Sequence, residues 1–476
     1  MYRDLNLRSL LLTGLCCASV LTGCKLQSVT SSHTPQINAH NLAVPHVYKI
    51  PSTNQTKNCL TRFKDPQLHQ LIAVALTDGP DMRSAWARID RARQIAKGTF
   101  SALWPSADLK GSIAKDHFSF HGVVPPPFTE IVANQARIEN LALNFNYELD
   151  LWGKNRETFA SSVNESFATH MDMEETRLIL SSTIASVYFD LQNNLMQQQL
   201  AKENVRILEE LEEIVTDRAK QGVESDIPVK TAISSTQAAR LSVDDYHRAE
   251  MQARHQLAAL MGKNPFNTEI ETTKFIYNKH ELALPKMIPA NLLGRRPDIV
   301  ATRARAQAAA HLIKVAKAAF FPNINLSGVL SLQSFYFSKL FHIALQTEGV
   351  KAALELPIFD AGARRANLGV KRAEYELAVN QYNQTILNAL REVSDQMTAL
   401  QTLNKQVNSQ EKAVHAIETN YRLFRSRYAS GVIDYVQLLE IKQLVVQQKS
   451  LLISLQTRQK QAFVGLLAAL GGEVSL

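Results

Sequence analysis

Cysteine is scarce in this 476-residue chain: of four, Cys16, Cys17 and Cys24 fall in the first two dozen residues and Cys59 stands alone. That excludes a disulfide framework and a cysteine metal site. Helix breakers are missing where they would matter most. No proline or glycine lies between Lys154 and Arg218, and only Gly369 interrupts Ala363 to Arg427. Long runs of one charge are absent too. The formal charge is +8, but Lys and Arg never cluster beyond pairs such as Arg295-Arg296 and Arg364-Arg365, with acids interspersed. Solvated helix faces explain this better than a nucleic-acid surface. Beyond the N-terminus no stretch approaches the roughly 18 apolar residues of a membrane helix, so any membrane crossing must use strands. A metal-spaced histidine cluster, a phosphate loop and a Gly-x-Ser-x-Gly turn are also missing, which argues against an enzyme, a metal site or a bound cofactor.

What is present begins at the N-terminus. Arg3 and Arg8 precede an apolar run from Leu10 to Leu21 and then small residues, which reads as a signal peptide over residues 1–23. Leu21-Thr22-Gly23-Cys24 resembles the bacterial lipobox, which implies that Cys24 becomes the first residue and carries a covalent lipid. Lys25, where an Asp would favour inner-membrane retention, points to the outer membrane. Residues 24–79 then form a lipidated N-terminal extension in which Cys59 is a small packed residue.

The remainder is written twice. Pro80 to Gly111 lie over Pro297 to Gly328 without a gap; Pro80, Asp81, Arg88, Lys97, Pro105 and Gly111 recur as Pro297, Asp298, Arg305, Lys314, Pro322 and Gly328. A looser echo carries Arg218, Gly222, Val223 and Gly262 onto Arg427, Gly431, Val432 and Gly471 at a slightly shorter offset. Internal repetition of this kind implies one pseudo-symmetric body. The expected organisation is a first repeat over 80–262 with a strand hairpin at 104–152, a connection over 263–296, and a second repeat over 297–476 with a hairpin at 322–359.

Each repeat shows two periods. Ile184, Val187, Leu191 and Leu195 recur at three and four within the breaker-free stretch, predicting a helix about 100 Å long from Lys154 to about Arg218, with its counterpart from Ala363 to Arg427. Leu438, Ile441, Val445, Gln448, Leu452, Leu455, Gln459 and Ala462 trace a coiled-coil seam. Its two glutamines either fix register or sit at a frayed edge. Asp226, with Pro228 in the first turn, is expected to cap a helix, and Gly262 and Gly471 to end theirs. Two shorter helices per repeat, Pro80 to Leu103 with Asp226 to Met261 and Pro297 to Phe321 with Asp434 to Leu470, would stack end to end along each long one.

Between these helices the period falls to two. Leu141, Leu143, Phe145, Tyr147, Leu149 and Leu151 alternate with Asn140, Ala142, Asn144 and Asn146, and Ala107 to Ile113 pair with them across Pro125-Pro126-Pro127. Asn323 to Gln333 and Val350 to Ile358 repeat the pattern. A soluble sheet would alternate as well. Trp104, Trp152, Phe320, Phe321 and Phe359 stand at the helix-proximal ends, and Phe118, Phe120, Phe335, Tyr336 and Phe337 at the far ends, so aromatic belts at two interfaces favour a membrane barrel. Four strands cannot close one, so the chain must oligomerise; three copies would give twelve strands.

Leu292-Leu293-Gly294-Arg295-Arg296-Pro297-Asp298-Ile299, then Lys317-Ala318-Ala319-Phe320-Phe321-Pro322, then Leu356-Pro357-Ile358-Phe359-Asp360-Ala361-Gly362, resemble the TolC-like outer-membrane efflux family, in its lipoprotein branch (NodT and OprM type) serving resistance-nodulation-division pumps. The resemblance implies a mainly α protein with membrane β: a trimeric channel-tunnel, its twelve-stranded barrel in outer-membrane lipid and its coiled-coil helices spanning the periplasm. It also implies a periplasmic adaptor protein and an inner-membrane transporter as partners. It places the closing end at the turns from Arg218 to Asp226 and Arg427 to Asp434, so Arg218, Gly222, Asp226, Arg427 and Gly431 become adaptor-contact candidates. Tyr428, Asp434, Gln437 and Glu440 become gate candidates, although Gln437 replaces an acid that some members carry. A bland alternative for Glu440, as for Glu209-Glu210-Leu211-Glu212-Glu213, is a solvated helix face. Arg296-Pro297-Asp298 reads physically as a helix start.

The function expected is a passive outer-membrane exit duct for small toxic compounds. The rivals are an outer-membrane channel for protein secretion and a lipid-anchored periplasmic coiled-coil scaffold without a pore.

Overall fold

A computed structural model describes residues 65–117, 135–270, 294–342 and 346–472, together with Phe63, Thr272 and Leu282. The signal segment, Cys24, Lys25, Cys59, Phe118, Phe120, the Pro125-Pro126-Pro127 loop and Leu292-Leu293 lie outside the described residues.

The elements run α1 (Pro66–Asp78), α2 (Pro80–Ser101), β1 (Ser106–His117), β2 (Gln135–Leu149), α3 (Lys154–Lys220), α4 (Asp226–Leu260), α5 (Pro297–Ala318), β3 (Asn323–Ser334), β4 (Gln346–Glu355), α6 (Ala363–Ala429) and α7 (Tyr435–Ala469). The duplication is visible in the lengths: α2 and α5 have 22 residues each, α3 and α6 have 67, and α4 and α7 have 35. At 1.5 Å per residue the long helices reach about 100 Å. The four strands form one antiparallel sheet in the order β1-β2-β3-β4, so the architecture is mainly helical with a small sheet at one end. None of the described helices is long and apolar enough to cross a membrane.

The shorter helices do stack end to end. Gly262, just past α4, lies against the Asp78 carbonyl and Pro80 at the start of α2, and Gly471, just past α7, lies against Arg296 at the start of α5. Gly222, Gly262, Gly431 and Gly471 all take positive φ, between +70° and +82°. The next residue's N–H reaches back to the helix, as Val223 to the Arg218 carbonyl and Val432 to that of Arg427, so the four ends share one glycine-closed geometry.

The main core sits at mid-height, where α1, the middle of α3, the end of α4 and the end of α7 converge. Ile184, Tyr188, Leu191, Leu257 and Phe463 are fully buried there, and Phe63 meets the rings of Phe189 and Phe463 edge-on at 5.0 and 6.0 Å. Smaller clusters continue the seam toward the ends: Ala168 against Ala301 and Ala304, and Ile207 against Leu439 and Val446. The seam glutamines are paired. Gln410 donates to the Gln448 side-chain oxygen at 2.7 Å, and fully buried Gln459 donates to Asn404. Each hydrogen bond ties α7 to α6 at one level, as a polar seam residue that sets register should.

Three boundaries depart from the sequence reading. β4 spans Gln346–Glu355 rather than Val350 to Ile358, because Pro357 has no N–H to give a ladder. β2 stops at Leu149 rather than Leu151 because Asp150 turns to the next helix, accepting from the amides of Asn155 (3.1 Å) and Arg156 (2.8 Å). The helix cap before α4 is Ser225, not Asp226, which is the first helical residue. Asp434 holds the equivalent place before α7 and accepts from the Gln437 amide at 2.9 Å.

Candidate functional site

Two ends of the molecule carry the functional candidates. At the helical tip, the turn between α3 and α4 lies beside the turn between α6 and α7. Arg218 donates from Nη2 to Asp434 Oδ2 at 3.3 Å, joining the two turns. Asp434 uses its other oxygen for the α7 cap, so one carboxylate both starts a helix and holds the neighbouring hairpin. Beside it, the Tyr435 hydroxyl donates to Glu210 Oε2 at 2.7 Å, and the Tyr428 ring lies 5.2 Å from the Tyr435 ring. The hydrogen bond to Glu210 pushes the Tyr435 hydroxyl up to about 12, with burial and the carboxylate charge adding to it.

Tyr428, Asp434 and Arg218 are therefore brought together, while Gln437 joins only through its backbone. Glu440 stands exposed on α7 and makes no ion pair among the described residues. Arg427, the repeat partner of Arg218, makes none either. Gly222 and Gly431 lie in open space at the two turns, flanked by exposed Val223, Ile227 and Val432. Sequence reasoning missed Tyr435 and Glu210. In sequence the acidic run reads as a solvated face, yet Glu210 holds Tyr435 and Glu209 accepts from Arg240 on α4 at 2.8 Å.

At the other end the sheet separates its faces. Register places Leu109, Leu143 and Leu330 in one row, with Ile113, Glu139 and Ser334 nearer the far end and Leu149, Ile324 and Leu354 nearer the helices. The apolar row is bare on both edges: Leu109 is 68% exposed and Val350 91%. Trp152 stacks on Phe321 with ring centres 4.7 Å apart and donates from Nε1 to the Pro322 carbonyl at 2.8 Å, fastening the first hairpin's foot to the second's. Trp104 and Phe359 project outward at this level. Phe320 instead packs among Ile313, Ala316 and Leu368, so it belongs to the helical packing rather than to an outward belt. Phe335, Tyr336 and Phe337 are exposed at the far end.

Between the two ends lies a joint whose strength the sequence did not reveal. The Arg296 guanidinium is buried. It forks onto Asp298 (3.1 and 2.8 Å) and donates from Nη1 to Glu392 on α6 (3.0 Å) and to the Ala469 carbonyl at the end of α7 (2.9 Å). Glu175 on α3 faces this group. Burial, and then the negative charge of Asp298, push its carboxyl up to about 7 against the opposing pull of Arg296.

A tall helical hairpin body carrying a four-stranded sheet with one bare apolar face is the build of a channel subunit that enters a membrane by strands. The family model described as outer membrane efflux protein matches residues 71–263 and 288–472, and the chain belongs to that family of outer-membrane exit ducts. It is similar to the putative multidrug resistance outer membrane protein MdtQ of Escherichia coli K12, with 28% identity over 469 residues that cover 95% of this chain and 96% of the relative. It is likewise similar to the cation efflux system protein CusC of the same strain, 25% identical over 467 residues covering 96% and 98%. Among solved structures, the outer membrane channel CmeC of Campylobacter jejuni shares the fold with a TM-score of 0.81 at 22% identity, covering 94% of each chain.

Proposed function

We propose that three copies of this chain close a twelve-stranded barrel in the outer membrane, above a periplasmic tunnel of twelve helical columns, and that the assembly passively conducts small toxic compounds outward. The observation that carries this is the pair of open edges. Among the described residues β1 and β4 each have a strand on one side only, and in lipid every unpaired backbone group costs several kcal/mol. The bare apolar face between those edges suits lipid rather than water. Energy would come from an inner-membrane transporter of the resistance-nodulation-division type through a periplasmic adaptor. Arg218, Gly222, Asp226, Arg427 and Gly431 at the tip turns are the adaptor contacts. The duct needs no cofactor beyond the lipid on Cys24.

The gate lies at the same tip. Tyr428, Asp434 and Gln437 surround the contact between the two turns, and Glu440, three times repeated around a narrow axis, would draw cations in. Small-molecule cargo is supported by the names of the relatives, multidrug for MdtQ and cation efflux for CusC.

The test joins three measurements on the full-length protein. Native mass in mild detergent should be three times that of the chain, planar bilayers should show pores, and deletion of the gene should raise susceptibility to toxic compounds while leaving secreted protein unchanged. A monomer without pores sinks the duct. Loss of a secreted protein with unchanged susceptibility would move the cargo to polypeptides.

A further inference from the structure

We propose that the copies join in a single register, with β4 of one against β1 of the next and Glu348 facing Lys115, so that an ion pair on the lipid-facing side latches each seam. This rests on the three-copy barrel and specifies how it closes.

Four Lys, Arg or Glu residues fall on the outward face; Arg137 and Glu139 pair with each other at 2.8 Å, and the other two, Lys115 and Glu348, prompt the question. Lys115 lies directly opposite Arg137 on β2, a like charge, and Glu348 lies opposite Leu330 on β3. Both are exposed, both sit on an edge strand, and neither makes an ion pair among the described residues. A charge on a lipid-facing row is expected to find a partner.

The sheet's own stagger locates that partner. From Ser106 at the foot of β1, the row of paired residues passes through Asn146 and Ser327 to Lys351, four residues above the foot of β4 at Glu355. The row thus climbs four residues over three strand pairs, and a fourth pair with the same stagger brings the climb to between about five and six. Opposed residues of an antiparallel pair share a face, so only an even displacement keeps the apolar rows of adjacent copies on one side. Six is the even value nearest the measured stagger. Three such seams give a total shear of about 18 residues, which for twelve strands at ordinary rise and spacing tilts them by about 45°, as membrane barrels require.

At a displacement of six, Glu348 meets Lys115, Val350 meets Ile113 and Leu354 meets Leu109. At four, Glu348 would face Ile113 and, on the inner side, Lys351 would face Lys110. At eight, Lys115 would face Val350. Only six pairs Lys115 with Glu348, the two outward charges left outside the Arg137–Glu139 pair, and keeps apolar residues on apolar residues.

Disulfide trapping reads the register directly, because residues opposed across an antiparallel pair lie within disulfide reach. In full-length protein carrying Cys59→Ser, three double variants are oxidised in isolated outer membranes: Lys115→Cys, Ile113→Cys or His117→Cys, each combined with Glu348→Cys. The first should convert the monomer band into a covalent trimer on non-reducing gels, and the other two should not. Trapping dominated by Ile113→Cys or His117→Cys overturns the proposed register, as does the absence of trapping in a protein whose native mass is still trimeric. A monomeric native mass would instead overturn the barrel itself. A second readout is the charge swap. Lys115→Glu and Glu348→Lys should each lower the temperature at which the trimer dissociates in detergent, and the double swap should restore it; single effects that merely add overturn the ion pair.

Discussion

Where α2 meets the end of α4 in the first half, glycine permits the contact; where α5 meets the end of α7 in the second, a buried guanidinium fills it. A Cβ on Gly79 would lie 2.3 Å from the Ala75 carbonyl oxygen and 3.2 Å from that of Leu260, and one on Gly262 would lie 2.9 Å from the Asp78 carbonyl. Arg296 stands at the repeat position of Gly79 and reaches two helices through Glu392 and Ala469. The duplicated halves have thus kept the lengths of their paired helices to the residue while changing what holds the backbones together. One joint depends on close approach and the other on charge, so they should fail differently.

The largest effect is expected at the charged joint. Arg296→Met leaves the Ala469 carbonyl and two carboxylates without their donor. Breaking a buried pair from one side costs about 3–5 kcal/mol, discounted here to about 2–3 because Asp298 and Glu392 are partly open to water. Arg296→Lys should recover only part of this, since one ammonium cannot fork onto Asp298 and also reach Glu392. Thermal unfolding of the purified protein in detergent measures both. A loss below that of an ordinary surface substitution would show that the guanidinium is not what holds the joint.

The glycine joint comes next. Gly262→Ala meets the Asp78 carbonyl and Pro80 as well as an unfavourable φ of +71°, and should cost about 2–3 kcal/mol. Gly222→Ala and Gly431→Ala have almost the same φ but open space around them. They should cost only the left-handed conformation, about 1 kcal/mol. Equal losses at all three positions would mean that the joint does not need close approach.

A difference in pH response follows from the same region. Glu175 has its carboxyl pushed up to about 7, from an ordinary value of 4.5. Because the folded state holds the proton more tightly, the contribution of this group is fully present below about pH 4.5 and is lost as pH rises through about 7. Glu175→Gln should therefore flatten the fall in thermal stability between those limits, with its gain over the parent growing toward neutral pH. An unchanged slope would mean that Glu175 does not titrate there.

How much of this was legible in sequence depends on how far apart the interacting residues are. The helices from Lys154 and Ala363 could be read because the absence of breakers is a local property, and alternation at Leu141 to Leu149 is equally local. The outer-membrane efflux assignment could be read from contiguous motifs. Arg296 could be recognised as a helix start, but not as a clamp, because Glu392 and Ala469 are 96 and 173 residues away. Tyr435 and Glu210 lie 225 residues apart, and an acidic run on a helix gives no sign of which carboxylate faces a neighbour. Phe320 reads in sequence as part of an aromatic belt, since adjacency to Phe321 does not reveal that Phe320 packs among Ile313, Ala316 and Leu368 while Phe321 stacks on Trp152. The end of β4 at Glu355 depends on Pro357, whose missing N–H outweighs the apolar alternation around it.

The smallest effect separates the two tips. Asp434 caps α7 by accepting from the Gln437 amide, three residues on. Ser225 occupies the same place before α4, but its third residue is Pro228, which has no N–H to donate, and its side chain makes no cap hydrogen bond. Asp434→Ala should therefore cost about 1 kcal/mol of local stability, chiefly the cap, with little added by the exposed pair to Arg218. Ser225→Ala should change stability by no more than about 0.3 kcal/mol, as when a cap residue has no donor to satisfy. Hydrogen exchange of the tip amides resolves the two. Faster exchange at Gln437 in Asp434→Ala, with the first turn of α4 unchanged in Ser225→Ala, is the expected result; equal acceleration at both tips would mean that something other than the caps orders these turns.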